Sequence, residues 1–129
     1  MWRYKQSTGE ISRDGKFVSV GYSGKGRGKN NPSLQGVQGT GPCPVGKWRM
    51  VRCYTSANVG PVTIELHAID ATPGDDWHDT TGRGHFRVHG DSIRAPGTAS
   101  KGCIILPRPV RLAMWAAAEK GDDVIEVIA

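Results

Sequence analysis

The chain has 129 residues, of which 37% are hydrophobic and 7% aromatic, which fits one folded domain and excludes a wholly disordered chain. Glycine occupies 18 positions without a triplet period, which excludes collagen. Lysine and arginine number 17 against 12 acidic residues, so the net charge of +5 favours anionic partners such as nucleic acid, a membrane surface or carboxylate-rich cell-wall polymers.

The first half of the chain predicts short strands around one long loop. Residues 2–22 favour two or three strands, because alternating residues flank the turn signal Arg13-Asp14-Gly15. Residues 21–41 are rich in glycine and asparagine, and loops of that length in a compact domain are usually functional or disordered. Strands follow over residues 47–52 and 62–69, the second with β-branched residues in strict alternation.

The second half predicts a polar loop over residues 70–84, three short strands and one helix. The strands are expected over residues 86–89, 102–106 and 124–128. Pro109 is placed to begin a helix over residues 110–119, and Gly121 is a helix-ending signal. No internal repeat or linker interrupts the pattern. The sequence therefore predicts a single domain over residues 1–129 that is mostly β, with one short C-terminal helix.

The N-terminus is polar, and no stretch approaches the roughly 18 apolar residues of a membrane span. We therefore expect no membrane insertion and no cleaved signal peptide, and synthesis in the cytoplasm. The three cysteines, Cys43, Cys53 and Cys103, lack the paired spacing of a structural zinc site. Whether Cys43 and Cys53 form a disulfide stays open at this point.

The residue pair with the clearest chemistry is His89 and Cys103. The histidine ends one predicted strand and the cysteine begins another, with a loop of small residues between them. Nucleophilic cysteine catalysis needs a thiolate and an imidazole close together, and neighbouring strands lie about 4.8 Å apart. Gly102 allows a tight turn in which backbone amides face a developing oxyanion. The alternative is an inert buried cysteine beside a solvated histidine.

These residues form a pattern, His-Gly followed by Ser-Lys-Gly-Cys-Ile, that resembles the signature of L,D-transpeptidase (YkuD-like) catalytic domains. Further segments resemble the type VI secretion L,D-transpeptidase effectors and their phage-encoded relatives, so that the likeness covers nearly the whole chain. These segments are residues 21–24, 30–32, 41–46, 83–91 and 100–107. The resemblance implies an L,D-transpeptidase-like β-sandwich or barrel.

The resemblance also implies a substrate, namely the peptidoglycan stem tetrapeptide, cut between meso-diaminopimelate and D-alanine. Cys103 would attack the carbonyl and form a thioacyl enzyme, and His89 would act as the base, oriented by the carbonyl of Gly90. The amides of Gly102 and Cys103 would form the oxyanion hole, and Ser100 would shape the loop. Water as acceptor gives L,D-carboxypeptidase activity, whereas a D-amino acid or another stem's amine gives exchange or cross-linking.

Four residues are candidates for substrate binding. Arg83, which matches the family pattern, and Arg87 have guanidinium groups suited to the carboxylates of a stem peptide. Tyr22 and Ser23 are expected to line the cleft.

His85 has even spacing from His89, so both would share one strand face near the site. Lys101 stands where the wider family often has a second histidine, which leaves His89 as the base.

Two other readings stay open. A zinc peptidase would use His78, His85, His89 and Asp91, and chelator resistance would exclude it. A non-catalytic module would bind the cell wall or serve as a phage structural piece, and its binding would survive Cys103→Ala. On the enzyme reading we expect a monomer with no cofactor, no metal and no nucleic-acid partner. It would act in the bacterial periplasm after delivery by a secretion system or phage lysis, and an immunity protein would accompany a delivered toxin.

Overall fold

The computed structural model describes residues 1–72 and 74–129, so residue 73 of the predicted 70–84 loop lies outside the described part. In this part the chain forms nine strands and one α-helix. They are β1 (Trp2–Lys5), β2 (Glu10–Arg13), β3 (Lys16–Val20), β4 (Tyr22–Ser23), β5 (Gly46–Ser56), β6 (Gly60–Ile69), β7 (Arg87–His89), β8 (Ile104–Ile105), α1 (Arg108–Glu119) and β9 (Val124–Ile128).

The strands form one mixed sheet in the order β3-β2-β1-β9-β5-β6-β7-β8-β4. The pairs β1–β9 and β7–β8 are parallel, and the other pairs are antiparallel. The two outermost strands in this order, β3 and β4, are separated in the chain by Gly21 alone. The sheet therefore curls until its two ends meet, and one core fills the inside.

Alternation along the strands builds this core. Trp48 and Met50 of β5, with Ile64 and Leu66 of β6, point to one face and are fully or almost fully buried. The same cluster includes Ile11 from one end of the sheet and Ile104 from the other, together with Met114 and Ala117 of α1. The mostly β fold class with one helix is thus confirmed, as a single curled sheet. No helix in residues 1–72 and 74–129 is long and apolar enough to cross a membrane.

The structure departs from the predicted boundaries where the glycine-rich loop and the site lie. The loop over residues 21–41 contains β4, which pairs with β8, and two short 3₁₀ turns, Gly26–Gly28 and Pro32–Leu34. β8 has two residues instead of the five predicted, because Gly102 has a φ of +146° and Pro107 ends the segment. Strand β7 begins at Arg87, so His85 lies before the strand, contrary to expectation.

Candidate active site

The candidate site lies where β7 and β8 run parallel. His89 is paired with Ile105, and Cys103 comes two residues earlier, just before β8 begins. The sheet thus places Cys103 on the segment beside the strand that carries His89. Within the described residues no hydrogen bond joins the Cys103 thiol to His89.

His89 is held in one ring orientation. Its side chain is 2% exposed, and Nδ1 lies 2.8 Å from the carbonyl oxygen of Gly90. Because a carbonyl only accepts, this contact places the ring proton on Nδ1 and leaves Nε2 unprotonated. Burial and the nearby Arg111 charge lower the pKa of His89, and the Gly90 carbonyl and Asp91 offset part of that shift. His89 is therefore neutral at neutral pH and able to accept a proton.

Cys103 is a half-buried thiol with a raised pKa. Burial raises its pKa, and the approach of the Arg87 backbone amide with the charges of Arg87 and Arg83 offsets only part of the effect. Its Sγ lies 4.0 Å from the carbonyl oxygen of His85. The resting site thus holds a neutral thiol, and any nucleophilic attack by this sulfur would need a base to remove its proton.

Gly102 fixes the shape of the turn in front of Cys103. Its φ of +146° lies in the region that side chains avoid. A Cβ at this position would also lie 2.7 Å from the guanidinium of Arg83 and 2.7 Å from the ring of Phe86. Conformation and space both require glycine here.

Two buried serines hold this turn from behind. Ser100 Oγ donates to the carbonyl oxygen of Cys103 at 2.5 Å and accepts from the amides of Gly102 (3.1 Å) and Gly24 (2.8 Å). Ser23 Oγ donates to the carbonyl oxygen of Gly102 at 2.7 Å and accepts from the amide of Cys43 at 2.8 Å. Ser100 therefore shapes the cysteine loop through three main-chain contacts.

These contacts change two expectations. The Gly102 amide is occupied by Ser100, so in this conformation it does not face an oxyanion. No hydrogen bond engages the Cys103 amide in the described part of the chain. Ser23 is fully buried, so its hydroxyl supports the loop from the inside and does not line the cleft as expected.

Arg83 is an anchor for the loops around the site. Its side chain is 5% exposed, and its guanidinium lies over the ring of Phe86. The two terminal nitrogens donate four hydrogen bonds to main-chain carbonyl oxygens. These acceptors are Gln35 (2.6 Å), Pro42 (2.9 Å), Gly41 (3.0 Å) and Lys101 (3.2 Å). Arg83 thus ties the glycine-rich loop to the residue before Gly102, and its contact with substrate stays a prediction.

Arg87 and Tyr22 also have internal partners. Arg87 donates from Nε to the Tyr54 hydroxyl at 3.0 Å, and its Nη2 lies 3.8 Å from Glu65. Tyr22 is buried and donates to Asp91 at 2.6 Å, while its hydroxyl accepts from the amide of Ala99 at 2.9 Å. These contacts fix the outer sheet face and the loop after His89, and their roles in substrate binding stay predictions.

A cleft of about 260 Å³ opens at Cys103. Its lining includes the half-exposed Trp77, the exposed His85 and Lys101. His85 lies 3.3 Å from Asp76 and packs edge-on against Trp77. A second depression of about 360 Å³ adjoins His89 and the loop that follows it. The thiol and the imidazole therefore each reach a separate concave surface.

Sequence reasoning missed two residues near the site. Arg111 of α1 is buried and donates to the carbonyl oxygens of Leu106, Pro61 and Val62, and its charge acts on His89. Helical spacing could have found it, because it shares a face with the buried Met114. The second is Trp77, which lines the cleft and packs so closely on Gly84 that a Cβ there would lie 2.7 Å from its ring.

The described residues contain no cluster of metal ligands of the kind that the zinc-peptidase alternative requires. Among residues 1–72 and 74–129, no group of three or more histidine, cysteine, aspartate or glutamate side chains is placed to hold a metal ion. His78, one of its proposed ligands, stacks on Trp48 and contacts the carbonyl oxygen of Val45 at 3.0 Å. All three cysteines are free thiols, and Cys43 is fully buried in the core.

The chain matches the sequence model of one protein family. The sequence model of the Tlde1 domain, a type VI secretion effector domain, matches residues 18–128. No curated protein and no solved structure matches the chain significantly. The matched segment contains β4, both short strands of the site and every candidate site residue.

Proposed function

The chain belongs to the Tlde1 domain family of type VI secretion effectors, and from that premise we propose that it is a cysteine enzyme that modifies peptidoglycan. Effectors of this kind typically pair with an immunity protein, and the family fits delivery into a target cell. The proposed substrate is the stem tetrapeptide, cut between meso-diaminopimelate and D-alanine. The observation that carries the proposal is that Cys103 lies just before β8, whose Ile105 is paired with the oriented His89 on the adjacent parallel strand.

The proposed reaction begins with proton transfer from the Cys103 thiol to His89 Nε2. Sγ then forms a bond to the carbonyl carbon of diaminopimelate. The carbon–nitrogen bond to D-alanine breaks as the imidazolium returns its proton to the leaving amine. The product is a thioacyl enzyme, which water hydrolyses or a D-amino acid or stem amine attacks, with His89 taking the acceptor's proton.

The proposed oxyanion donor is the amide of Cys103. It lies at a turn whose geometry is enforced by Gly102 and by the Ser100 bridge. A single amide donor at such a position commonly accounts for a factor of about 10²–10³ in rate. Ser100 is thus proposed to act on the reaction by holding the turn.

The first test is mass spectrometry of purified tetrapeptide muropeptides incubated with the wild-type protein, with and without an added D-amino acid. We expect loss of the terminal D-alanine, or its replacement by the added D-amino acid. Cys103→Ala and His89→Ala should each abolish the change while the thermal unfolding midpoint stays close to that of the wild type. The matched control is Cys53→Ala, because Cys53 is half-buried on β5, outside the site.

Normal turnover by Cys103→Ala would show the proposed mechanism to be wrong. Intact stems with every variant, together with sacculus binding that Cys103→Ala retains, would favour a non-catalytic wall-binding module. Turnover that a chelator abolishes would favour the metal-dependent alternative.

A further inference from the structure

Another concave surface, distinct from the depression beside His89, adjoins the Cys103 cleft. It is a groove of about 560 Å³ lined by Lys25, Gly26, Arg27, Leu34, Val37, Gly39 and Thr40, and we call it the basic groove. Gly39 lines both the basic groove and the Cys103 cleft, so the two concave surfaces meet at this residue. A chain seated at Cys103 could therefore extend into the basic groove without leaving the protein surface.

The charged side chains that line the basic groove are all positive. Residues 15–64 contain seven lysine or arginine residues and no aspartate or glutamate. Lys25 and Arg27 are exposed, and Lys101 is exposed in the adjoining cleft. In residues 1–72 and 74–129, no carboxylate oxygen lies within 4.0 Å of the charged nitrogens of these three residues. By contrast, Arg49 and Arg52 on β5 are paired with Asp123 and Glu65.

Main-chain hydrogen bonds fix the two walls of the basic groove against each other. The amide of Lys25 donates to the carbonyl oxygen of Thr40 at 2.8 Å, and the amide of Gly28 donates to the carbonyl oxygen of Lys25 at 3.0 Å. A side chain on Gly28 would lie 2.2 Å from the Thr40 carbonyl oxygen, so the two walls approach as closely as glycine allows. The charged side chains extend from this fixed backbone, which reduces the ordering cost of binding.

We infer that the basic groove binds the carboxylates of neighbouring stem peptides and directs the enzyme to polymeric peptidoglycan. The inference rests on the proposed function. Stem peptides carry free carboxylates on D-glutamate, diaminopimelate and terminal D-alanine, and a glycan strand repeats them at short intervals. Occupation of the cleft by one stem raises the effective concentration of the next stem at the groove.

The test is co-sedimentation with purified Gram-negative sacculi. The variant is Lys25→Glu/Arg27→Glu, and the matched control is Lys16→Glu/Lys120→Glu, which changes the net charge equally at exposed lysines outside the groove and the cleft. We expect the groove variant to bind sacculi about tenfold more weakly and the control to bind like the wild type. Raising the ionic strength from about 0.01 M to about 0.1 M should weaken wild-type binding and affect the groove variant less.

Two further measurements test whether the stem peptides supply the carboxylates that the basic groove binds. Sacculi from which an amidase has removed the stems should bind the wild type no better than the groove variant. The ratio of turnover on sacculi to turnover on soluble tetrapeptide should fall about tenfold in the groove variant. Equal sacculus binding by the groove and control variants would overturn the inference. A groove variant that binds sacculi like the wild type but no longer binds polyglutamate would also overturn the inference, because the groove would then bind an acidic protein.

Failure of the proposed function gives a different result. If the wild type leaves soluble tetrapeptides intact, the chemistry at Cys103 is wrong, and sacculus binding by the two charge variants still decides the role of the groove.

Discussion

Around Trp48 the sheet is held by apolar packing, whereas around Cys103 it is held by hydrogen bonds from buried polar side chains. Trp48 lies in the long β5–β6 pair, edge-on to Phe86 and fully buried. The strands at Cys103 have only two or three residues, and Ser23, Ser100 and Arg83 bond to the loops between them. Apolar burial tolerates small shifts, but a hydrogen bond fixes the two atoms it joins. Substitutions around Cys103 can therefore displace the atoms of the site while the protein stays folded.

The largest expected effect is on stability in the apolar region. Trp48→Ala removes a fully buried indole and should lower the free energy of unfolding by about 3–5 kcal/mol. Urea denaturation measures this loss, and turnover per folded molecule should stay close to the wild-type value. A large fall in turnover of the folded fraction would show that the two regions are coupled more tightly than the contacts suggest.

The next largest effect, at Arg83, should lower both the free energy of unfolding and the turnover. Arg83→Leu leaves four main-chain carbonyl oxygens without their donors and should cost about 2–4 kcal/mol. Because one of these carbonyls belongs to Lys101, turnover of the folded protein should fall at least about tenfold, which corresponds to roughly 1.4 kcal/mol in the barrier.

Arg83→Lys separates the anchor from the charge. It keeps the cation near Cys103 but cannot reproduce the four-bond geometry, so it should restore little of the activity. Full rescue by lysine would mean that the charge matters and the anchoring does not. Urea denaturation and tetrapeptide turnover, measured on the same samples, decide between these outcomes.

A smaller effect is expected at Ser23. Ser23→Ala removes the bridge between the carbonyl oxygen of Gly102 and the amide of Cys43, both buried, and should cost about 1–3 kcal/mol. Turnover should fall although the side chain never reaches the cleft. Thr8→Ala is a suitable control, since this hydroxyl accepts from the amide of Glu10 in the turn between β1 and β2, outside the cysteine loop. Equal turnover in the two variants would contradict a special role for the hydrogen-bonded region.

The smallest change concerns pH. Because the pKa of His89 is lowered, the imidazole stays neutral at neutral pH and becomes protonated only below roughly 6.5. Turnover should be constant near neutrality and fall as acid protonates the base, with a midpoint below 6.5. A profile of kcat/KM between pH 4.5 and 8 measures it, and an acid limb centred above 6.5 would contradict the assignment.

The two regions also differ in how well sequence predicts them. Alternation predicted β6 over residues 62–69, and the structure places it at Gly60–Ile69, because local pattern and burial agree there. The pairing of β4 with β8 was missed, since it joins residues about 80 positions apart and each strand has only two residues. The burial of Arg83 was not predicted because arginine is rarely buried, and only its distant carbonyl acceptors explain the exception.

The burial of the Cys103 thiol has a consequence for how long this side chain stays unmodified. Peroxide and alkylating reagents attack the thiolate, and a raised pKa keeps that form scarce at neutral pH. Cys43 is shielded in the same way, deep in the core. The resting protein thus carries the Cys103 thiol in a weakly reactive form, and the rate of its oxidation in an oxidising medium should depend on how often a base deprotonates the sulfur.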